Sequence, residues 1–310
     1  MSWILLAAGA QFINALVAVV DKRIVSDDKI LPRPFVYAYY TLLISGAWVL
    51  VYLVSFVPVI GGFHIPSFEN VYRPTLEVVA LSFLAAYCFF IGLVSMFTAF
   101  RCADAADVVP VVGATSAIGS LGLGYFFLHG AISSNFLLGI TLLSIGTYFV
   151  SRYHFGWKTA LTSIHSGLFF AFHYVSMKGL FNVTSFDDGF FWSRIAFMLF
   201  ALTLLLVPAY YDKIKVHTKK VTRATGTLIL ANKVLAGVAT ILILKATELG
   251  DVAVVQALGG LQFVFILFIG IFFTLKPRRG HVGEMYRHDT ILQKTLFVAI
   301  ISLGFLVLFT

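Results

Sequence analysis

Two stretches decide the fold: Arg101-Cys102-Ala103-Asp104-Ala105-Ala106-Asp107-Val108-Val109-Pro110-Val111 and Lys245-Ala246-Thr247-Glu248-Leu249-Gly250-Asp251-Val252-Ala253-Val254-Val255. Each carries a basic, an acidic and a second acidic residue at three-residue steps. Each also fills a short gap between two long apolar runs and leads into a Gly/Ala-rich segment. A charged turn of the same design, met twice in an apolar chain, reads as a duplication. Duplication in a membrane protein points toward transport.

Working outward, the match extends to other places in chain order. Lys22 at the end of the first apolar run corresponds to Lys178 at the end of the sixth, and Ser144-Ile145-Gly146 corresponds to Ser302-Leu303-Gly304. The offset between copies drifts through Lys276-Pro277-Arg278-Arg279-Gly280, a loop where an insertion is easily accommodated. Residues 1–155 are therefore expected to form a first five-helix repeat and residues 156–310 a second.

Composition supports the class independently. The 310 residues are 60% hydrophobic and 12% charged, with a mean hydropathy of +0.95. Soluble domains have apolar contents of roughly 45–50%. Crossing a hydrocarbon layer takes about 20 apolar residues. Runs of that kind are expected near 2–20, 35–56, 78–100, 106–128, 134–151, 159–178, 189–210, 224–245, 251–274 and 292–309. The expected fold is an all-α membrane protein with ten transmembrane helices arranged as two inverted five-helix repeats. The run beginning at Trp3 has no basic segment before it and no small-residue cleavage site after it, so it reads as a first span and not a signal peptide. Cys88 and Cys102 offer neither a disulfide framework nor a cysteine metal site.

Charge sets the orientation. Of the 22 basic residues, Arg73, Lys178 and Lys245 fall on one side of the ten-span arrangement, Arg194 and Lys233 fall inside spans, and the rest fall on the other side. The positive-inside rule puts that basic side in the cytoplasm and both termini outside. With five spans per repeat, the second repeat inserts upside down relative to the first. The net charge of +8 is thus a matter of topology and calls for no nucleic-acid partner.

Polar groups held in hydrocarbon are the candidate site. Counting from Ala224 at 1.5 Å per residue, Lys233 lies about 13 Å deep, where a charge costs at least about 2.5–3.5 kcal/mol. Beside it, Asn232 offers a donor and an acceptor. The pair reads as an anchor for an anionic substrate group, or as a structural lysine bonded to a carbonyl. Gln11 and Asn14, with Ala18 and Asp21, form a narrow helical face that either lines a cavity or bonds a neighbouring helix. His165 and His173 share a stripe with Phe169. They either couple protons or pack structurally. Gln256 and Gln262, about 600° apart on one continuous helix, are expected on different faces. Arg194, near the start of its span, is expected to snorkel to the interface. The acidic residues of the two charged turns read as helix caps. His281, Glu284 and His288 lack the spacing of a zinc motif, so no metal and no cofactor is expected.

With these residues in view, the chain resembles the EamA-like branch of the drug/metabolite transporter superfamily over essentially its whole length. The resemblance rests on the ten-span duplication and on Asp21-Lys22, Gly189-Phe190-Phe191-Trp192-Ser193-Arg194, Asn232-Lys233 and Val255-Gln256-Ala257-Leu258-Gly259-Gly260-Leu261-Gln262-Phe263-Val264-Phe265. It implies a central cavity lined by spans 1, 3, 4, 6, 8 and 9, and transport by alternating access. Where many relatives carry a glutamate, this chain has Leu128-His129-Gly130 and Leu275-Lys276-Pro277. The expected function is transport of a small polar metabolite, export included, in the inner cell membrane, with a proton or another ion as candidate coupling partner. The alternative is a membrane-embedded enzyme or flippase acting on a lipid-linked substrate. Enzymatic activity is not expected, because paired intramembrane carboxylates, His-Glu-x-x-His and Gly-x-Ser-x-Gly are missing from the sequence. A cysteine placed at Lys219 should stay unreactive toward an impermeant thiol reagent in intact cells and react once the cells are opened. Labelling in intact cells would reverse the orientation.

Overall fold

The computed structural model describes residues 2–27, 31, 33–56, 66–128, 138–139, 141–142, 156–218 and 222–274. The tenth expected span and all but four residues of the fifth lie outside the described residues. So do the matched Ser-x-Gly anchors within them, the loop from Lys276 to Gly280 and the group His281, Glu284 and His288. Every regular element among the described residues is helical. The helices are α1 (Ser2–Ser26), α2 (Pro34–Ala47), α3 (Leu76–Cys102), α4 (Ala105–Leu128), α5 (Trp157–Val183), α6 (Phe186–Leu205), α7 (Pro208–Thr218), α8 (Arg223–Leu249), α9 (Val252–Ala257) and α10 (Gly260–Thr274). Short 3-10 segments occupy Trp48–Phe56 and Phe68–Asn70.

Local chemistry fixes where these helices begin. Thr75, Ser185 and Thr222 are extended residues whose hydroxyls accept the backbone N–H of Val78, Asp188 and Thr225. Asp251 does the same for Ala253 and Val254. Pro34 opens α2 at the position where its missing N–H has no intrahelical partner to lose. Such caps contribute about 1 kcal/mol each.

Seven helical segments among the described residues are long and apolar enough to cross a membrane: Trp3–Ser26, Pro34–Leu53, Leu76–Cys102, Ala105–Leu128, Phe186–Leu205, Arg223–Leu249 and Val252–Ile269. The side chains are distributed inside out. Leu76 is 86% exposed, Leu206 79% and Phe126 75%, whereas Lys233 is 3% exposed and Arg194 1%. Water would reverse that arrangement, and a hydrocarbon solvent requires it. The chain is an all-α, multi-pass membrane protein.

α5 is as long as α3 but too polar to stand among those seven, because Ser163, Ser166, Ser176 and His173 interrupt it. It lies against α3 and α4, which satisfy that polarity. The Ser166 hydroxyl donates to the Gly92 carbonyl at 2.8 Å, and His173 Nδ1 lies 2.9 Å from the Ala85 carbonyl. Conversely, α1 packs along α8 and α10. The first span of each part of the chain is thus seated against the third and fourth spans of the other part. α2 packs on α3 and α6. Apolar contacts gather in two clusters. One is built on Tyr37, Phe97, Phe100 and Phe197, the other on Tyr52, Phe190, Ile243 and Leu258.

The ninth expected span is not one helix. It breaks at Leu258–Gly259 into α9 and α10, joined by 3-10 bonds in which Gly259 N–H donates to Gln256 O and Gln262 N–H to Gly259 O. The residue immediately before α9 is Asp251, and the residue immediately before α4 is Asp104. Helix starts therefore align Asp104, and not Asp107, with Asp251. The charged turns match in design at a register shifted by three residues from the sequence reading.

α4 and α5 cross closely at Gly167. A Cβ on Gly167 would lie 2.6 Å from both the Val112 carbonyl oxygen and the Thr115 Cβ, whereas one on Gly122 would meet nothing within 4 Å. Gly167→Ala should therefore destabilise the purified protein by about 1–3 kcal/mol. Gly122→Ala should be neutral or stabilising by up to about 1 kcal/mol. Thermal unfolding in detergent compares the two, and equal melting temperatures would refute the close crossing.

Candidate functional site

Between the helices lies a cavity of about 160 Å³. α1 contributes Gln11, Asn14, Ala18 and Asp21, the narrow face expected from their spacing. α2 adds Thr41 and Ser45, α4 adds Ser116, α5 adds Phe170 and Tyr174, α8 adds Lys233 and Thr240, and the broken ninth span adds Gln256 and Gln262. The resemblance placed spans 1, 3, 4, 6, 8 and 9 around a cavity; the second span lines it too.

Its polar end is organised around one carboxylate. Asp21 Oδ1 accepts from Lys233 Nζ at 2.8 Å, Asn232 Nδ2 at 2.6 Å and the Tyr37 hydroxyl at 2.5 Å. All four residues are buried. The ammonium of Lys233 also lies 4.4 Å from the Tyr37 ring centroid and 5.2 Å from that of Phe97, aromatic faces that stabilise a desolvated cation. Lys233 is thus a buried ion-pair partner. Asn232 does not line the cavity; it braces Asp21 from behind and reaches toward the Val17 carbonyl at 3.5 Å.

The two glutamines were expected on different faces, an expectation that assumed a continuous helix. The break at Leu258–Gly259 re-aims the second segment, and both line the cavity. Gln262 Nε2 donates to the Asn14 carbonyl at 3.0 Å. Gln256 Oε1 accepts from the Ser116 hydroxyl at 3.3 Å, while its Nε2 is buried with no hydrogen-bond partner among the described residues. That donor is an unmet group in the wall.

The histidines share one stripe as expected, but the stripe faces α3 and not the cavity. His165 is exposed, with Nδ1 2.8 Å from the Ser95 hydroxyl. His173 is buried against Ala85 and Phe89. One residue further round, Phe170 and Tyr174 supply the cavity surface of α5. Arg194 does not snorkel. Its guanidinium is buried over the rings of Phe197 at 4.2 Å and Phe190 at 4.9 Å, Nε donates to the Ser193 hydroxyl at 3.3 Å, and Nη2 has no partner among the described residues.

Two further lysines close helix ends in matching fashion. Lys22 Nζ donates to the carbonyls of Phe100 at 2.5 Å and Ala103 at 2.7 Å, where α3 stops. Lys178 Nζ donates to those of Glu248 at 2.7 Å and Gly250 at 3.0 Å, where α8 stops. In each case an ammonium meets carbonyls that have no intrahelical partner. Tyr37, Thr41 and Ser45 were not singled out from sequence, and Asp21 was read as part of the α1 face without its pairing to Lys233. For Asp21 the signal was present: an aspartate and a lysine, each in an otherwise apolar span, call for each other.

No family model matches the sequence, and no curated protein does. A solved crystal structure of a chain 15% identical superposes with a TM-score of 0.66 over 99% of this chain and 95% of the other. At that identity the likeness concerns the fold.

Removing one partner of a buried pair strands the other. Lys233→Met, neutral and of similar length, should cost about 3–5 kcal/mol because Asp21 is left buried and uncompensated. The double variant Asp21→Asn/Lys233→Met should recover most of that loss. Unfolding of the three proteins in detergent reads the coupling, and strict additivity would show that the pair does not interact.

Proposed function

We propose that the chain is a transporter of the EamA-like, drug/metabolite type, moving a small polar solute across the inner cell membrane by alternating access. The observation that carries this reading is the Asp21–Lys233 pair in the wall of an internal cavity lined by amide and hydroxyl groups. A purely structural pair has no need of such surroundings, since an apolar replacement of similar volume is often as stable. The cavity volume falls below the roughly 300–1,000 Å³ usual for ligand pockets. On this reading the described state holds the site in a narrow form, and the site widens when one side opens.

A ten-helix arrangement of two inverted repeats is supported by the reciprocal seating of α1 and α5, by the matched clasps of Lys22 and Lys178, and by the broken ninth span. Discontinuous helices at the contact between repeats are a recurrent place for solute binding. The polar lining favours a small hydrophilic solute over a lipid-linked one, whose acyl part would need an apolar channel.

The test uses purified protein in sealed proteoliposomes with a panel of labelled sugars, amino acids and organic acids. Wild type should exchange at least one of them. Gln256→Leu, which removes the unmet donor while conserving bulk, should keep its melting temperature and lose about tenfold or more in rate, the scale of one hydrogen bond to a charged or polar ligand. Turnover of a lipid-linked substrate in detergent, with no vesicle barrier, would replace transport by the enzymatic reading.

A further inference from the structure

Arg101, the basic member of the first charged turn, has no part in the cavity. Lys245, the basic member of the second charged turn, pairs with Glu248 at 2.5 Å and lies 4.5 Å from the Phe186 ring centroid. Arg101 is exposed and makes no ion pair among the described residues. It borders a separate recess of about 650 Å³ between the start of α2, the last turns of α3 and α7. Arg33 and Lys213 border the same recess, Phe35, Val36 and Val94 supply apolar wall, and no carboxylate lines it among the described residues.

The depth of the recess follows from α7. This short helix connects the end of α6 to the start of α8, so it lies at a membrane face. Ile214 is buried beneath it, and Tyr210 packs on Phe35 with ring centroids 4.9 Å apart. Lys213 lies 6.0 Å from the Tyr210 ring centroid and Lys215 5.4 Å from that of Tyr211. Tyrosines and lysines on a helix anchored by a buried isoleucine are the composition of an interfacial helix, with aromatic rings at headgroup level. Three cations therefore converge at the headgroup boundary, on the face where the basic loops accumulate, above an apolar wall.

We propose that this recess binds a phosphate group, either the headgroup of an anionic phospholipid or a soluble phosphate. Two guanidinium forks and an ammonium match the charge and the acceptor oxygens of phosphate. The apolar wall is where the glycerol and first acyl carbons of a lipid would lie. Neither the occupant nor the site depends on the transport reading.

Wild type, Arg101→Gln and the triple variant Arg33→Gln/Arg101→Gln/Lys213→Gln are placed in nanodiscs of phosphatidylcholine with or without phosphatidylglycerol, and retained lipid is counted by native mass spectrometry after release. Wild type should keep phosphatidylglycerol over phosphatidylcholine, with selectivity falling about fivefold for each cation removed and melting temperatures unchanged in phosphatidylcholine alone. Inorganic phosphate is then titrated in. Displacement or direct binding of phosphate in the wild type, absent in the triple variant, identifies a soluble source, whereas retention against phosphate identifies the lipid. Equal retention of both lipids with no phosphate binding, or a triple variant that behaves as wild type, overturns the proposal.

Discussion

An ammonium ion inside hydrocarbon must be neutralised by the protein that holds it, and much of this structure follows from that requirement at Lys233. The opposite charge comes from α1, across the contact with α8, so the two helices must run side by side at one register. Asp21 in turn needs more than one donor, which brings in Asn232 from α8 and Tyr37 from α2. Three spans are therefore fixed relative to one another by a single carboxylate. The energetic return is small, because desolvating both ions offsets most of their attraction. What the pair enforces is register: sliding either helix by one residue would expose an unpaired charge to the hydrocarbon interior.

The same requirement acts on backbone groups. α3 and α8 each stop at a short turn into another long apolar segment, and their last carbonyls are left without intrahelical partners. Lys22 and Lys178 supply the missing donors. Each comes from the first span of its own part of the chain, so the clasp ties first span to third across the helix end. Asp104, 3.8 Å from Lys22, adds charge balance at one of the two sites. Carbonyls without intrahelical partners at a turn thus explain why a lysine stands near the end of an otherwise apolar helix, a feature that sequence could register but not interpret.

What could be read in advance follows from the range of the interactions involved. Apolar run length and the doubled charged turn are local, and from them the membrane class and most of the described spans were legible. The face of α1 carrying Gln11, Asn14, Ala18 and Asp21 was legible too, since helical periodicity alone decides it. The site failed to be legible where two distant segments meet. Asp21 and Lys233 are far apart in sequence; each charge calls for a partner of opposite sign, but which one meets it is settled only by the packing of α1 on α8. Arg194 was placed at the interface by its distance from the helix start, yet a neighbouring aromatic shell holds it inside. The histidine stripe of α5 was correctly drawn, but which neighbour it faces depends on packing, and α3 took it.

The glutamines of the ninth span show how one backbone irregularity redirects a site. On an unbroken helix Gln256 and Gln262 diverge. At Leu258–Gly259 the ladder gives way to 3-10 bonds, whose tighter turn changes the angle between the residues on either side. A side chain on Gly259 would press on the Gln256 carbonyl at 2.8 Å, so glycine is what lets the chain fold back that closely. Counting from the residue before each helix, Pro110 of α4 occupies the position that Ala257 holds just before the break. Proline removes the N–H that would have bonded the Ala106 carbonyl, yet α4 runs on as a helix. Both segments therefore lose regular hydrogen bonding within about the first two turns after their acidic start, one by a missing donor and the other by a turn. Both line the cavity at or next to that point, through Val109 and Val112 on one side and Gln256 and Gly259 on the other. Weak points in the helix ladder and polar groups of the wall thus coincide, which is where, under the proposed transport function, a change of shape would act most directly on a solute.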